Sequence, residues 1–233
     1  MDRITRSKLK TDRFAVEVEH SVEYFSEHRK QVAQYTAIAV VVALIAGGIL
    51  YYRDRQHSAR QEELARAMEV VQAPVSANAP PGQVFFTTEA LKSAAAEKAF
   101  KPIYDKYSGT AEGIVAASYL GAISMDQNKL SDAEKYFQQV ANYRDDTYAA
   151  LGKLSLAQVY LSAGRNADAE KLLRSLYEKP SVSVSKEQAA IALARAIAVS
   201  KPAEARKLLE PLRSQRPAIS QTAITLLSQL PPQ

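Results

Sequence analysis

Few side chains in this sequence are of a type that could do acid–base, nucleophilic or metal chemistry. Cysteine is absent, which excludes thiolate metal sites, thiol nucleophiles and disulfides. The three histidines, His20, His28 and His57, all lie in the first quarter of the chain. Serines beyond them therefore have no imidazole to activate them. Acidic pairs stand at Glu62-Glu63 and Asp145-Asp146. Two carboxylates can divide acid and base roles only when both face one reacting atom. Adjacent residues on a helix or turn point different ways, so these pairs read as solvated surface charge. No phosphate loop, dinucleotide fingerprint, nucleophile elbow or zinc-binding His pair is present. The expectation is a protein that is not an enzyme, with no cofactor, no metal and no small-molecule substrate.

Something other than chemistry must organise the chain. Its 233 residues are 47% hydrophobic and 24% charged, enough apolar weight for a packed core and too little charge bias for disorder. From Gln31 to Tyr52 there are 22 residues without a charge. A helix of that length spans roughly 33 Å, against about 30 Å of hydrocarbon. Tyr35, Tyr51 and Tyr52 stand where interfacial aromatics stand, and Arg29, Lys30, Arg53 and Arg55 bracket the run. The spacing predicts a transmembrane helix at 35–52, behind an N-terminal tail at 1–34, in an uncleaved signal anchor. The region before the apolar run is too long for a signal peptide's n-region. Counted within 20 residues of the helix, two basic residues precede it and four come after it, so charge does not settle orientation. Ala39, Ala43 and Gly47 recur on one face, a small-xxx-small spacing that lets a second membrane helix approach.

On either side of this helix the sequence remains helical in pattern. Phe14, Val18, Val22 and Phe25 share one face over 14–30, while Glu17, Glu19, Glu23 and Glu27 occupy others. That acidic face repels anionic lipid, and the segment reads either as a contact for a protein partner or as a lead-in to the membrane helix. Residues 53–72 read as a helical neck. A proline-rich linker at 73–84 is expected to separate the anchor from the C-terminal part of the chain.

The remaining 85–233 repeats itself. AEKAFKPIYDKY from Ala96, AEKYFQQVANYR from Ala133, AEKLLRSLYEKP from Ala169 and ARKLLEPLRSQR from Ala205 align at offsets of 37, 36 and 36. Leu120-Gly121 matches Leu156-Ala157 and, more weakly, Ala192-Leu193; Asn128-Lys129 matches Gly164-Arg165. Each unit reads as helix, short turn, helix. The pattern resembles the tetratricopeptide repeat (TPR), with Leu-Gly in helix A and Ala-x3-Phe in helix B. Units are expected at about 88–109 (an N-terminal half-repeat), 114–145, 150–181 and 186–217, with a cap at 218–230. The fold class is therefore all-α: a single transmembrane helix followed by a TPR-type helical-hairpin solenoid.

Such a stack binds partners on the concave face of its A helices. By repeat position that face should show Ser118, Ala122 and Met125, then Leu154, Gln158 and Leu161, then Ala190, Ala194 and Ile197. The expected groove is small-sided and apolar, without the Lys and Asn that clamp a carboxylate. Charge is uneven: residues 85–170 carry nine basic and eleven acidic side chains, whereas 171–233 carry ten and four. No nucleic-acid recognition pattern accompanies the basic end.

The whole order, with Val22-x-x-Phe25-x-Glu27, Lys30, the membrane helix, Tyr51-Tyr52 and Ser58-Ala59-Arg60, resembles the YfgM-like ancillary subunits of the bacterial SecYEG translocon. The resemblance implies a cytoplasmic N-terminus, a single pass through the inner membrane and a periplasmic TPR domain. It implies protein partners: translocon subunits, unfolded clients or periplasmic chaperones. The other reading is an inner-membrane-tethered TPR scaffold for another envelope or cell-division complex.

Overall fold

A computed structural model describes residues 29–76 and 84–231. Among these the fold is all-α, and the one β-type pairing is an isolated bridge between Val75 and Phe86. The chain divides into two compact units, 1–58 and 59–233.

In the first unit the described residues belong to helix α1 (Arg29–Gln72). This helix is long and apolar enough to cross a membrane. Its apolar side chains are exposed, Leu44 at 70% and Leu50 at 66%, which is costly in water and favourable in lipid. The membrane stretch and the expected neck are one uninterrupted helix. The amphipathic segment at 14–30 lies almost wholly outside the described residues.

The second unit begins inside α1. Ala67 is buried, and Leu64, Met68, Val70 and Val71 pack with it against Phe100 and Ile103 of α2 (Glu89–Tyr107). Residues 59–72 thus serve as the A helix of a hairpin whose B helix is α2. That A helix is hidden in the sequence because it continues an apolar helix, and because a long proline-rich segment stands where the other pairs have short turns. That segment is held at its ends: the Ser76 N–H donates to the Phe86 carbonyl at 2.9 Å, and the Phe86 N–H donates to the Pro74 carbonyl at 3.0 Å.

Three further hairpins complete the series: α3 (Ala111–Asp126) with α4 (Leu130–Ala141), α5 (Asp146–Ser162) with α6 (Asn166–Glu178), and α7 (Lys186–Ile197) with α8 (Pro202–Leu209). A 3-10 turn (Glu210–Ser214) and α9 (Pro217–Gln229) close the unit. The A helices have side-chain caps. Thr110 Oγ1 accepts from Gly113 N, Asp145 from Thr147 N, and Ser185 forms a capping box with Gln188. The first two short turns close by Schellman geometry. Asn128 (φ 57) and Gly164 (φ 73) take the left-handed position, and Lys129 N and Arg165 N donate back to Ser124 O and Tyr160 O at 2.8 Å.

Burial repeats along the B helices at the expected step. Ala133, Ala169 and Ala205 are each wholly buried, followed by Phe137, Leu173 and Leu209. Ala96 and Phe100 of α2 occupy the same places. Gly121 lies under Phe137, and Gly152 lies against the backbone of Val140 and Ala141, so α5 meets the end of α4 without a Cβ between them. Phe100 stacks on Tyr119 at 4.6 Å, joining the first two hairpins.

The A helices differ from expectation at one place. The buried pairs are Leu120-Gly121, Leu156-Ala157 and Leu193-Ala194, so the third pair is one residue later than the sequence repeat predicts. The Leu-to-Ala step across the third turn is correspondingly short. Thirteen residues separate Leu120 from Ala133 and Leu156 from Ala169, but twelve separate Leu193 from Ala205. No left-handed residue occurs between α7 and α8.

Candidate protein-binding groove

The acidic pairs of the sequence have structural work. Glu63 accepts from Lys106 Nζ and from Tyr107 Oη, each at 3.0 Å, tying 59–72 to α2. The Lys106 ammonium beside it holds the Glu63 carboxyl below its ordinary value. Asp145 caps α5. Among the described residues no group of three or more His, Asp or Glu side chains could hold a metal ion.

The second unit offers instead the outward side of its A helices. The residue after each buried pair is exposed: Ala122, Gln158 and Arg195. Gln158 and Leu161 line a cleft with Arg195 and Val199, between α5 and α7. A second cleft lies between α7 and α9, lined by Arg195, Gln221, Thr222, Thr225 and Gln229.

The expected groove residues fare unequally. Ala122 and Gln158 are exposed, while Met125, Leu154 and Leu161 are half-buried and pack partly against the core. Ser118 is half-buried, and its hydroxyl donates to the Ile114 carbonyl at 3.0 Å. Ala190, Ala194 and Ile197 are buried at 2%, 1% and 1% exposure and belong to the core. The one-residue shift in α7 is the cause. With it, a cation, amides and hydroxyls stand among the apolar side chains of the clefts beside α7. Arg195 and Val199 were missed, although Leu193-Ala194 matches the Leu-small pair better than Ala192-Leu193 does.

Several charges are paired from one hairpin to the next. Arg165, in the turn before α6, reaches back to Glu134 of α4 at 2.9 Å. Lys201, in the turn before α8, reaches back to Glu170 of α6 at 2.6 Å. Arg174 joins Glu170 and Glu204. Hydrogen bonds from Lys201 and Arg174 hold the Glu170 carboxyl below its ordinary value, and Arg174 does the same to Glu204. Arg195 has no ion-pair partner among the described residues, and neither do Lys171, Lys186 and Arg216; of these four, Arg195 is the one that lines a cleft between A helices.

The family model of the tetratricopeptide repeat-like domain matches residues 23–180. The chain belongs to this family. The matched TPR-like region takes in the apolar part of α1 as well as the first three hairpins. The last pair and its cap, with Arg195, lie beyond it. No curated protein and no solved structure matches the chain. The TPR fold is a non-catalytic scaffold whose ordinary use is protein–protein contact.

Proposed function

We propose that this chain is a non-enzymatic, membrane-anchored TPR receptor that is accessory to the Sec translocon. The open, polar-rimmed cleft between the A helices α5 and α7 carries this reading, because a stack built to cover itself would leave no such surface. The cleft takes translocated chains or periplasmic chaperones. The apolar part of α1 holds the protein in the inner membrane, with the N-terminus cytoplasmic and the TPR unit periplasmic. Ala39, Ala43 and Gly47 form the face that meets translocon helices. A Cβ added at Gly47 would meet nothing within 4 Å among the described residues, so that side leaves room for a neighbour. The YfgM-like order of segments is the feature that points to the translocon.

The test is affinity capture of the full-length protein from gently solubilised native membranes, beside a variant in which 31–52 is replaced by an unrelated membrane helix. Translocon subunits should accompany the native protein and be absent with the replacement. Retention of the same partners by the replaced helix would discard the helix contact. Recovery of a different envelope complex would make the protein a tethered scaffold.

A further inference from the structure

We propose that Arg195 is the anion-recognition residue of the groove, and that the groove's occupant is an extended peptide segment carrying an Asp or Glu side chain. This deepens the reading of the A-helix surface as a protein-binding groove and rests on it.

Arg195 lines both clefts, the one shared by α5 and α7 and the one shared by α7 and α9. No other charged side chain lines either of them. Helix α9 contains no charged residue at all. Arg165, Arg174, Lys201 and Arg213 each sit on a carboxylate of this chain and are less free for a ligand than Arg195. An unpaired guanidinium at the rim of two clefts offers five N–H donors in a planar fork, which fits a carboxylate. Around it, Gln158, Asn166, Gln221 and Gln229 present amides that both donate and accept, as the backbone of an extended peptide requires. Val199, 90% exposed, and Leu161 supply an apolar contact beside the charge. The groove therefore suits an acidic residue flanked by an apolar one. Residues 171–233, with ten basic and four acidic side chains, add a field that draws acidic segments in.

The test uses the full-length protein in a neutral detergent and short labelled peptides, acetylated and amidated at their ends. One contains glutamates among alanine, leucine and serine; a second has glutamine in their place; a third is the glutamine peptide with a free C-terminal carboxylate. Fluorescence anisotropy should show the glutamate peptide binding about tenfold or more tightly than the glutamine peptide. Arg195→Gln should erase that difference and leave the glutamine peptide unaffected, and Arg195→Glu should favour a lysine peptide. Arg195 is exposed, so unchanged thermal melting is the folding control. Equal binding of the two amidated peptides, or a preference that survives Arg195→Gln, overturns the proposal. A preference for the free carboxylate alone also overturns it, in favour of chain-end recognition. If peptides bind without regard to charge and Gln158→Trp blocks them, the groove stands and the role of Arg195 falls. If no peptide binds, both fall.

Discussion

Asn128 and Gly164 hold equivalent left-handed positions in two successive turns, but they hold them at different cost. Glycine has no Cβ to clash there, and asparagine tolerates the conformation better than other side chains do. Gly164→Ala should lower the urea unfolding midpoint by the equivalent of roughly 1 kcal/mol, whereas Asn128→Gly should change it by only a few tenths. A neutral Gly164→Ala would show that the turn can close in another conformation. These turn residues were legible in the sequence as a matched pair. Arg195 was not. It sits beside Ala192 and Leu193, which imitate a Leu-small pair in the wrong order, and only burial distinguishes the two registers. Glu63 and Asp145 were legible only as residues without chemistry; their partners are distant in sequence or belong to a backbone cap.

Between hairpins the recurring device is a turn cation that reaches back to a glutamate on the preceding B helix. Arg165 with Glu134 and Lys201 with Glu170 are each 31 residues apart. The Glu170 carboxylate, held below its ordinary value of 4.5, contributes stability that is present above that value and lost as pH falls through the lower folded value. The urea midpoint should therefore hold from neutral pH down to about that value and then fall. Glu170→Gln should lower the midpoint at neutral pH, by about 1 kcal/mol at most for each exposed pair, and should flatten the acid limb. An acid limb that is unchanged in the variant would remove Glu170 from the account. The B helices that carry these pairs were readable because Ala and a large apolar residue repeat at a constant step. The A helices were less so. A longer approach to Leu193 and a shorter step from it to Ala205 cancel, so the B-to-B spacing conceals the shift.

Over the whole second unit, stability is close to a sum of hairpin and neighbour contributions, and each end needs a cover. At the far end that cover is α9. It buries Ala223 and lays Ile219, Leu226 and Leu227 against the last pair. A chain ending at Arg216 should melt at a lower temperature and self-associate, as read by calorimetry and light scattering. An unchanged, monomeric product would mean that α9 is not the cover. At the near end 59–72 supplies the cover, with Leu64, Ala67, Met68 and Val71 laid against α2.

The two backbone hydrogen bonds that clasp Pro74–Ser76 to Phe86 give the protein a natural grafting point. They fix where the chain leaves and re-enters the first hairpin, whatever length lies between. Doubling that length would cost only about 0.6 kcal/mol in closure entropy. A tag or a foreign epitope placed between residues 76 and 84 would therefore be carried by the stack without loosening it.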